Sequence, residues 1–115
     1  MSPGNKVFLY GELKDSSQPA AVVKGELRRR GKDAAARFGP KYRGLVHGNL
    51  HEYTDKELKK LDKYEAPEYV RMSVTTEAGE KVWAYEDVED RFQAGPLIPG
   101  GNYKNPDKVK KNDMP

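Results

Sequence analysis

Two alternating segments joined by a short turn constrain the fold of this chain more than any other feature. The first, residues 69–76, reads YVRMSVTT, with its two valines and Met72 on one face. The second, residues 81–88, reads KVWAYEDV and alternates in the same way after the glycine-containing sequence EAGE. Because side chains on a strand repeat every two residues, this pattern on both sides of a turn predicts an antiparallel β-hairpin.

Three further segments are predicted to be strands: KVFLY at 6–10, AAVVKGELR at 20–28 and LVHGNLHEY at 45–53. The first run ends at Gly11, which indicates a turn, and Gly25 weakens the second run or marks a bulge. Between the second and third runs lies the sequence RRGKDAAARFGPKYRG, with three glycines and a proline. We predict a loop there, with room for one or two helical turns at DAAARF.

One helix is predicted after the third strand. Thr54 and Glu57 form the capping-box pattern T-x-x-E, which is typical of a helix N-terminus. Apolar side chains then recur every third residue and fall on one face, at Leu58, Leu61 and Tyr64. Pro67 disfavours helical conformation at the residue before it. The helix is therefore expected to end near Tyr64 or Glu65.

Strands, one helix and a hairpin together predict an α+β domain. One short helix cannot cover a flat sheet, so we expect a small mixed β-barrel-like sheet with one or two short flanking helices. From Gly95 onward the chain is rich in Pro, Gly, Asn and Lys. We therefore expect one domain over residues 1–104, followed by an irregular, polar and disordered tail over residues 105–115.

The composition excludes several kinds of site. The 115 residues include no cysteine, which rules out disulfides, thiolate zinc sites and a cysteine nucleophile. Neither a glycine-rich phosphate loop nor a G-x-S-x-G nucleophile motif occurs. His47 and His51 lie in a predicted strand with no acid-rich motif beside them. We interpret them as surface or edge residues and expect no metal site.

Hydropathy and charge bear on location and partners. No apolar run approaches the length of a membrane span, and the first residues do not resemble a signal peptide. We expect no membrane partner and a cytoplasmic location.

The net charge is +3, and Arg28, Arg29 and Arg30 form a basic cluster with little aromatic interleaving. That pattern favours a solubilising surface over a nucleic-acid site, and it leaves the oligomeric state open.

Two features could carry chemistry. Gly11 ends a buried strand, and a glycine there lets the next backbone N–H groups turn into a concavity for an anion. Glu65 ends the helix, where the dipole and the apolar strand beyond it raise the pKa of a carboxylate toward that of a general base. Taken singly, each feature has an ordinary alternative. Gly11 can mark a simple turn, and Glu65 can be an exposed glutamate.

Taken together and in order, five short motifs resemble the gamma-glutamylcyclotransferase-like family, which includes the gamma-glutamylamine cyclotransferases. The motifs are YGEL at 10–13, VHGNL at 46–50, LDKYE at 61–65, YVR at 69–71 and WAY at 83–85. The segment GPLIPGGNY at 95–103 also resembles the closing Pro-Gly-aromatic part of that family.

The resemblance implies a small mixed β-barrel with a cavity at one end. It implies that Tyr10, Gly11, Glu12 and Leu13 line a pocket for a glutamyl group, held largely by backbone N–H groups, and that Glu65 is the catalytic acid/base. The implied reaction cyclises a small gamma-glutamyl amide to 5-oxoproline and releases an amine or amino acid. The substrate supplies its own nucleophile, so the resemblance implies no metal and no cofactor.

The chain departs from the family pattern in the loop. Glu12 stands where the family usually has Ser or Thr, so a carboxylate lies where the carboxylate of the substrate is expected, and Ala66 replaces a frequent glycine. These departures keep a second hypothesis open, a catalytically inactive member that binds a small ligand or a protein partner. Tyr69 and Arg71 are interpreted as scaffold. Arg71 can pair with Asp62 or Glu65, and this leaves two roles open for it, orienting that acid or binding the substrate.

Overall fold

The computed structural model describes residues 4–31 and 33–103. The order of elements along the chain is β1 (Lys6–Leu9), β2 (Ala20–Arg30), β3 (Asp33–Phe38), β4 (Leu45–Glu52), α1 (Asp55–Glu65), β5 (Tyr69–Thr75), β6 (Lys81–Asp87) and two short 3₁₀ helices (Asp90–Ala94 and Pro99–Gly101). The predicted tail at 105–115 lies outside the described residues. Within the described residues, no helix is long and apolar enough to cross a membrane.

The six strands form one mixed sheet in the order β3-β2-β4-β1-β6-β5. All neighbouring pairs are antiparallel except β1 and β6, which run parallel. The sheet curls until β3 meets β6, where the Phe38 N–H donates to Glu86 Oε2 at 2.8 Å and Arg37 Nε donates to the Asp87 carbonyl at 3.0 Å. The predicted α+β class and barrel-like sheet are therefore confirmed.

The local patterns gave the correct elements in most of the chain. The hairpin pairs β5 with β6 through a turn that contains Gly79, whose φ of 90° suits glycine. The capping box is also present, since the Glu57 N–H donates to Thr54 Oγ1 at 3.1 Å and the Thr54 N–H donates to Glu57 Oε1 at 2.9 Å. Helix α1 ends at Glu65, as the proline predicts.

The prediction of a loop or helical turns at DAAARF was wrong, because this segment is strand β3. It pairs antiparallel with residues 25–30 of β2 across a turn at Gly31, which has a φ of 64°. Ala34, Ala35 and Ala36 are all buried. Three alanines show no alternation and favour a helix in isolation, but their small side chains fit where the sheet curls on itself, and this packing outweighs their local preference.

Strand β1 organises the core because both of its faces are buried. Phe8 and Tyr10 enter the cluster inside the curled sheet, while Val7 and Leu9 join the cluster under the helix, where they meet Leu58. This arrangement packs α1 across the outer face of β1 and its neighbours. It also brings the C-terminal end of the helix close to Gly11, two residues after the end of β1.

The arginine cluster is not a purely solubilising surface, because Arg28 and Arg29 contact the C-terminal segment and Arg30 pairs with an acid of β6. Arg28 Nη1 donates to the Gly95 carbonyl at 2.7 Å, and the Arg29 guanidinium lies 5.9 Å from the centre of the Tyr103 ring. Arg30 pairs with the buried Asp87 at 3.0 Å. The Arg28 and Arg30 side chains are only 17% and 18% exposed.

Candidate active site

A single pocket at the end of β1 contains most of the predicted site residues. It lies between the loop after β1, the start of β3 and the end of α1, and its lining includes Tyr10, Gly11, Glu12, Leu13, Glu65 and Tyr69. Arg71 does not contribute to this lining. All predicted site residues except Arg71 therefore lie together, and the lining also holds residues outside that set, among them Asp33 and Tyr85.

The loop after β1 is shaped by a turn and by a carboxylate from another strand. The Lys14 N–H donates to the Gly11 carbonyl at 2.9 Å and closes the turn. The Glu12 N–H donates to Asp33 Oδ1 at 3.3 Å, while the Glu12 side chain is exposed. A Cβ on residue 11 would lie 3.1 Å from the same Oδ1 atom, so glycine makes this close approach possible.

Asp33 is the acidic pocket residue that sequence reasoning missed. It is the first residue of β3, and its Oδ1 also accepts a hydrogen bond from the Ala34 N–H at 2.8 Å. Only the correct assignment of β3 as a strand beside β2 would have brought it to the pocket, because no local motif distinguishes this acid from others. Its place in the lining depends on the pairing of β3 with β2.

Glu65 is the last helical residue and is half-buried against the pocket. Burial is the main cause that raises its pKa to about 7, and the carboxylates of Asp33, Glu68 and Glu12 raise it further. The predicted upward shift is thus present, with burial and three acidic neighbours as its causes. At neutral pH such a group exists in both protonation states and can accept or donate a proton.

Three of the four tyrosines in the pocket lining are held by hydrogen bonds from their hydroxyl groups. Tyr10 donates from its hydroxyl to the Tyr85 carbonyl, Tyr69 donates to the Ala34 carbonyl at 3.2 Å, and Tyr85 donates to Asp62 Oδ1. Burial raises the pKa of Tyr69 to about 12 and the pKa values of the other two tyrosines well above the usual value. All three hydroxyls therefore stay protonated at neutral pH and act as donors.

Outside the pocket lining, Arg71 joins helix α1 to the hairpin through an ion pair. Its Nε lies 3.0 Å from Asp62 Oδ1, so of the two acids that the sequence offered as partners, Asp62 is the one observed. The guanidinium also lies 4.4 Å from the centre of the Trp83 ring. Asp62 lies three residues before Glu65, so the ion pair fixes the helical turn that carries the pocket carboxylate.

The described lining of the pocket is acidic. It contains Glu12, Asp33 and Glu65, and no Lys, Arg or His from the described residues. This excess of negative charge attracts cationic groups and disfavours anionic ones. Across the described chain, no group of three or more His, Cys, Asp or Glu side chains is arranged to hold a metal ion.

Comparison with known proteins gives one match to a family and several to solved structures. The family model described as gamma-glutamyl cyclotransferase, AIG2-like, matches residues 7–105. The comparison with curated proteins finds no match. The matched span includes every pocket residue named above.

Three solved structures have a similar fold. YkqA from Bacillus subtilis matches with a TM-score of 0.73 and 21% identity over 96% of this chain, which spans 44% of the YkqA chain. PH0828 from Pyrococcus horikoshii matches with a TM-score of 0.67 and 16% identity over 93% of both chains. At5g39720.1 from Arabidopsis thaliana matches with a TM-score of 0.58 and 25% identity, over 94% of this chain and 80% of that one.

Proposed function

Because the chain belongs to the AIG2-like gamma-glutamyl cyclotransferase family, we propose that it cyclises a small gamma-glutamyl amide to 5-oxoproline and releases an amine or amino acid. In this proposal Glu65 is the general acid/base, and the loop at 10–13 binds the glutamyl group. One observation carries the proposal. A half-buried carboxylate with a pKa raised to about 7 shares a pocket with that loop.

The proposed reaction needs little beyond these groups. The α-nitrogen of the substrate attacks its own γ-carbonyl carbon, a C–N bond closes the five-membered ring, and the bond to the leaving nitrogen breaks. Glu65 takes the proton that the attacking nitrogen loses and returns it to the leaving nitrogen. The pocket contributes by holding the substrate chain folded, so that the two reacting atoms meet.

The backbone of the loop is suited to stabilise the negative charge that develops on the carbonyl oxygen. The Leu13 N–H has no hydrogen-bond partner among the residues that the structure describes. Leu13 lies in the pocket lining, and the proposal assigns this donor to the ligand. Donors that are already oriented before the reaction stabilise such charge at little cost. The Glu12 N–H, in contrast, is engaged by Asp33.

A second candidate function is a non-catalytic module that binds a small ligand or a protein partner. The acidic lining favours it, because Glu12 and Asp33 repel the carboxylate of a glutamyl substrate. In this alternative, ligand binding depends on the loop at 10–13, while Glu65 is dispensable. The two functions therefore differ in what a substitution of Glu65 does.

The test is to incubate the purified chain with a panel of gamma-glutamyl amines and dipeptides and to measure 5-oxoproline by mass spectrometry. The proposal expects product with at least one substrate, and expects Glu65→Gln to abolish it while the circular dichroism spectrum is kept. Glu68→Gln is the matched control, since it removes a neighbouring carboxylate that lies outside the pocket lining. No product from any substrate, or full activity in Glu65→Gln, contradicts the proposal.

A cytoplasmic location belongs to the same proposal. A chain without cysteine needs no oxidising compartment in order to fold. Fractionation of cells that express the chain, followed by immunoblotting, tests the location. Recovery in the membrane or secreted fraction contradicts it.

A further inference from the structure

Asp33 is held in the pocket in a fixed orientation. Two backbone N–H groups, from Glu12 at 3.3 Å and Ala34 at 2.8 Å, donate to the same oxygen, Oδ1. In the part of the chain that the structure describes, no hydrogen-bond donor contacts the other oxygen, Oδ2. A carboxylate that is anchored through one oxygen can offer the second to a ligand without losing its position.

The surroundings of Asp33 favour a cationic ligand. Asp33 lines the same pocket as Glu65, and the charge of Asp33 contributes to the raised pKa of Glu65. Glu12 adds a third carboxylate, and the described lining holds no basic side chain. A gamma-glutamyl compound carries one cationic group on its glutamyl part, the α-ammonium, and this is the group that such a lining attracts.

We propose, on the basis of the proposed function, that Asp33 binds the α-ammonium group of the glutamyl substrate and thereby makes the pocket select ligands that carry this amine. Asp33 Oδ2 accepts a hydrogen bond from the ammonium, which then lies beside Glu65, the group that removes the proton. Asp33 is thus a specificity-determining residue of the substrate site. Its first oxygen keeps the loop in place, and its second recognises the amine.

The test compares two ligands that differ only in the amine. The ligands are γ-glutamylethylamide and N-ethylglutaramate, which lacks the α-amine and cannot cyclise. Binding is measured by calorimetry on the full chain that carries Glu65→Gln, where the proposed reaction is blocked. We expect the amine to improve affinity about ten- to hundredfold, as for a charge-assisted hydrogen bond. We also expect Asp33→Asn to remove most of that gain.

Asp33→Asn is the informative change because the amide oxygen can still accept from both backbone N–H groups. The affinity for N-ethylglutaramate is therefore expected to differ by less than about threefold between the chain with Asp33→Asn and the chain with Asp33 in place. If Asp33→Asn lowers the affinity for both ligands equally, or lowers it for neither, the proposal is overturned. Equal affinity of the two ligands for the chain with Asp33 in place also overturns it, even if Asp33→Asn does not fold.

Glu68→Gln serves as the matched control for charge. It removes a carboxylate near Glu65 that does not line the pocket, so the gain in affinity that the amine provides is expected to persist. Disappearance of the gain in this control contradicts a specific role for Asp33. Failure of the proposed function alone would give a different result. In that case no 5-oxoproline forms from any substrate, although ligand binding still depends on both the amine and Asp33.

Discussion

Arg71 Nε lies 3.0 Å from Asp62 Oδ1, and this ion pair joins strand β5 to the last turn of the helix that carries Glu65. The same oxygen also accepts the Tyr85 hydroxyl, so three elements meet at one carboxylate. Arg71 itself stays outside the pocket lining. The position of the proposed acid/base therefore depends on an ion pair whose two residues lie outside the pocket lining.

Removal of this ion pair is expected to lower turnover more than substrate binding. In Arg71→Gln we expect kcat to fall about three- to tenfold with KM nearly unchanged, because a small displacement of a catalytic group is costly. The stability loss should stay below about 1 kcal/mol, since the pair is partly exposed to solvent. Steady-state kinetics and urea unfolding measure both effects. A rise in KM with kcat unchanged would instead place Arg71 in substrate binding.

The pH dependence of activity should follow the shifted pKa of Glu65. Burial, and then Asp33, Glu68 and Glu12, raise that pKa to about 7, so kcat/KM is expected to increase as pH rises through about 7. Glu68→Gln removes one of the acids that raise the pKa, so its profile should shift to lower pH. Glu77→Gln, in the hairpin turn, is the control and should leave the profile unchanged. Superimposable profiles for all three proteins would contradict this account.

The same pKa makes Glu65 destabilising near neutral pH. Because the folded-state pKa is raised from 4.5 to about 7, the folded chain binds more protons than the unfolded chain between these values. The free energy of unfolding therefore decreases as pH rises from about 4.5 to about 7. Glu65→Gln should be more stable than the parent at pH 8, on the order of 2 kcal/mol after a discount for partial exposure.

Urea unfolding of the parent chain and Glu65→Gln at pH 4 and pH 8 measures this difference. At pH 4 the carboxyl group is mostly protonated in both states, so the two proteins should differ little. Glu77→Gln again provides a control for the general loss of one acid. A Glu65→Gln chain that is less stable than the parent at pH 8 would show that ionised Glu65 has stabilising partners.

Replacement of Gly11 by alanine should disturb the pocket through Asp33. The added Cβ would lie 3.1 Å from Asp33 Oδ1 and crowd the carboxylate that holds the Glu12 N–H. We expect KM to rise severalfold and stability to fall by about 1 kcal/mol. Gly79→Ala is a matched control, because its strain arises in the hairpin turn, where a Cβ meets no atom within 4 Å. Equal kinetic effects of both changes would contradict the role of the contact.

The elements that the sequence predicted correctly are those with local signals. The capping box defines where α1 begins, Pro67 defines where it ends, and alternation on both sides of a turn defines the hairpin. Strand β3 has no such signal, because three consecutive alanines do not alternate and their burial depends on how the whole sheet curls. Asp33 was missed for the same reason, since it enters the pocket only through the pairing of β3 with β2.

The central position of β1 has a consequence for the order in which the chain can fold during synthesis. This strand leaves the ribosome before the other five, yet its neighbours in the sheet are β4, which begins at Leu45, and β6, which begins at Lys81. Its apolar faces therefore remain uncovered until most of the chain has been made. Pairing over such sequence separations is slow, and it exposes unpaired strand edges meanwhile. A nascent chain stalled before β6 is thus expected to depend on chaperones more than the finished protein does.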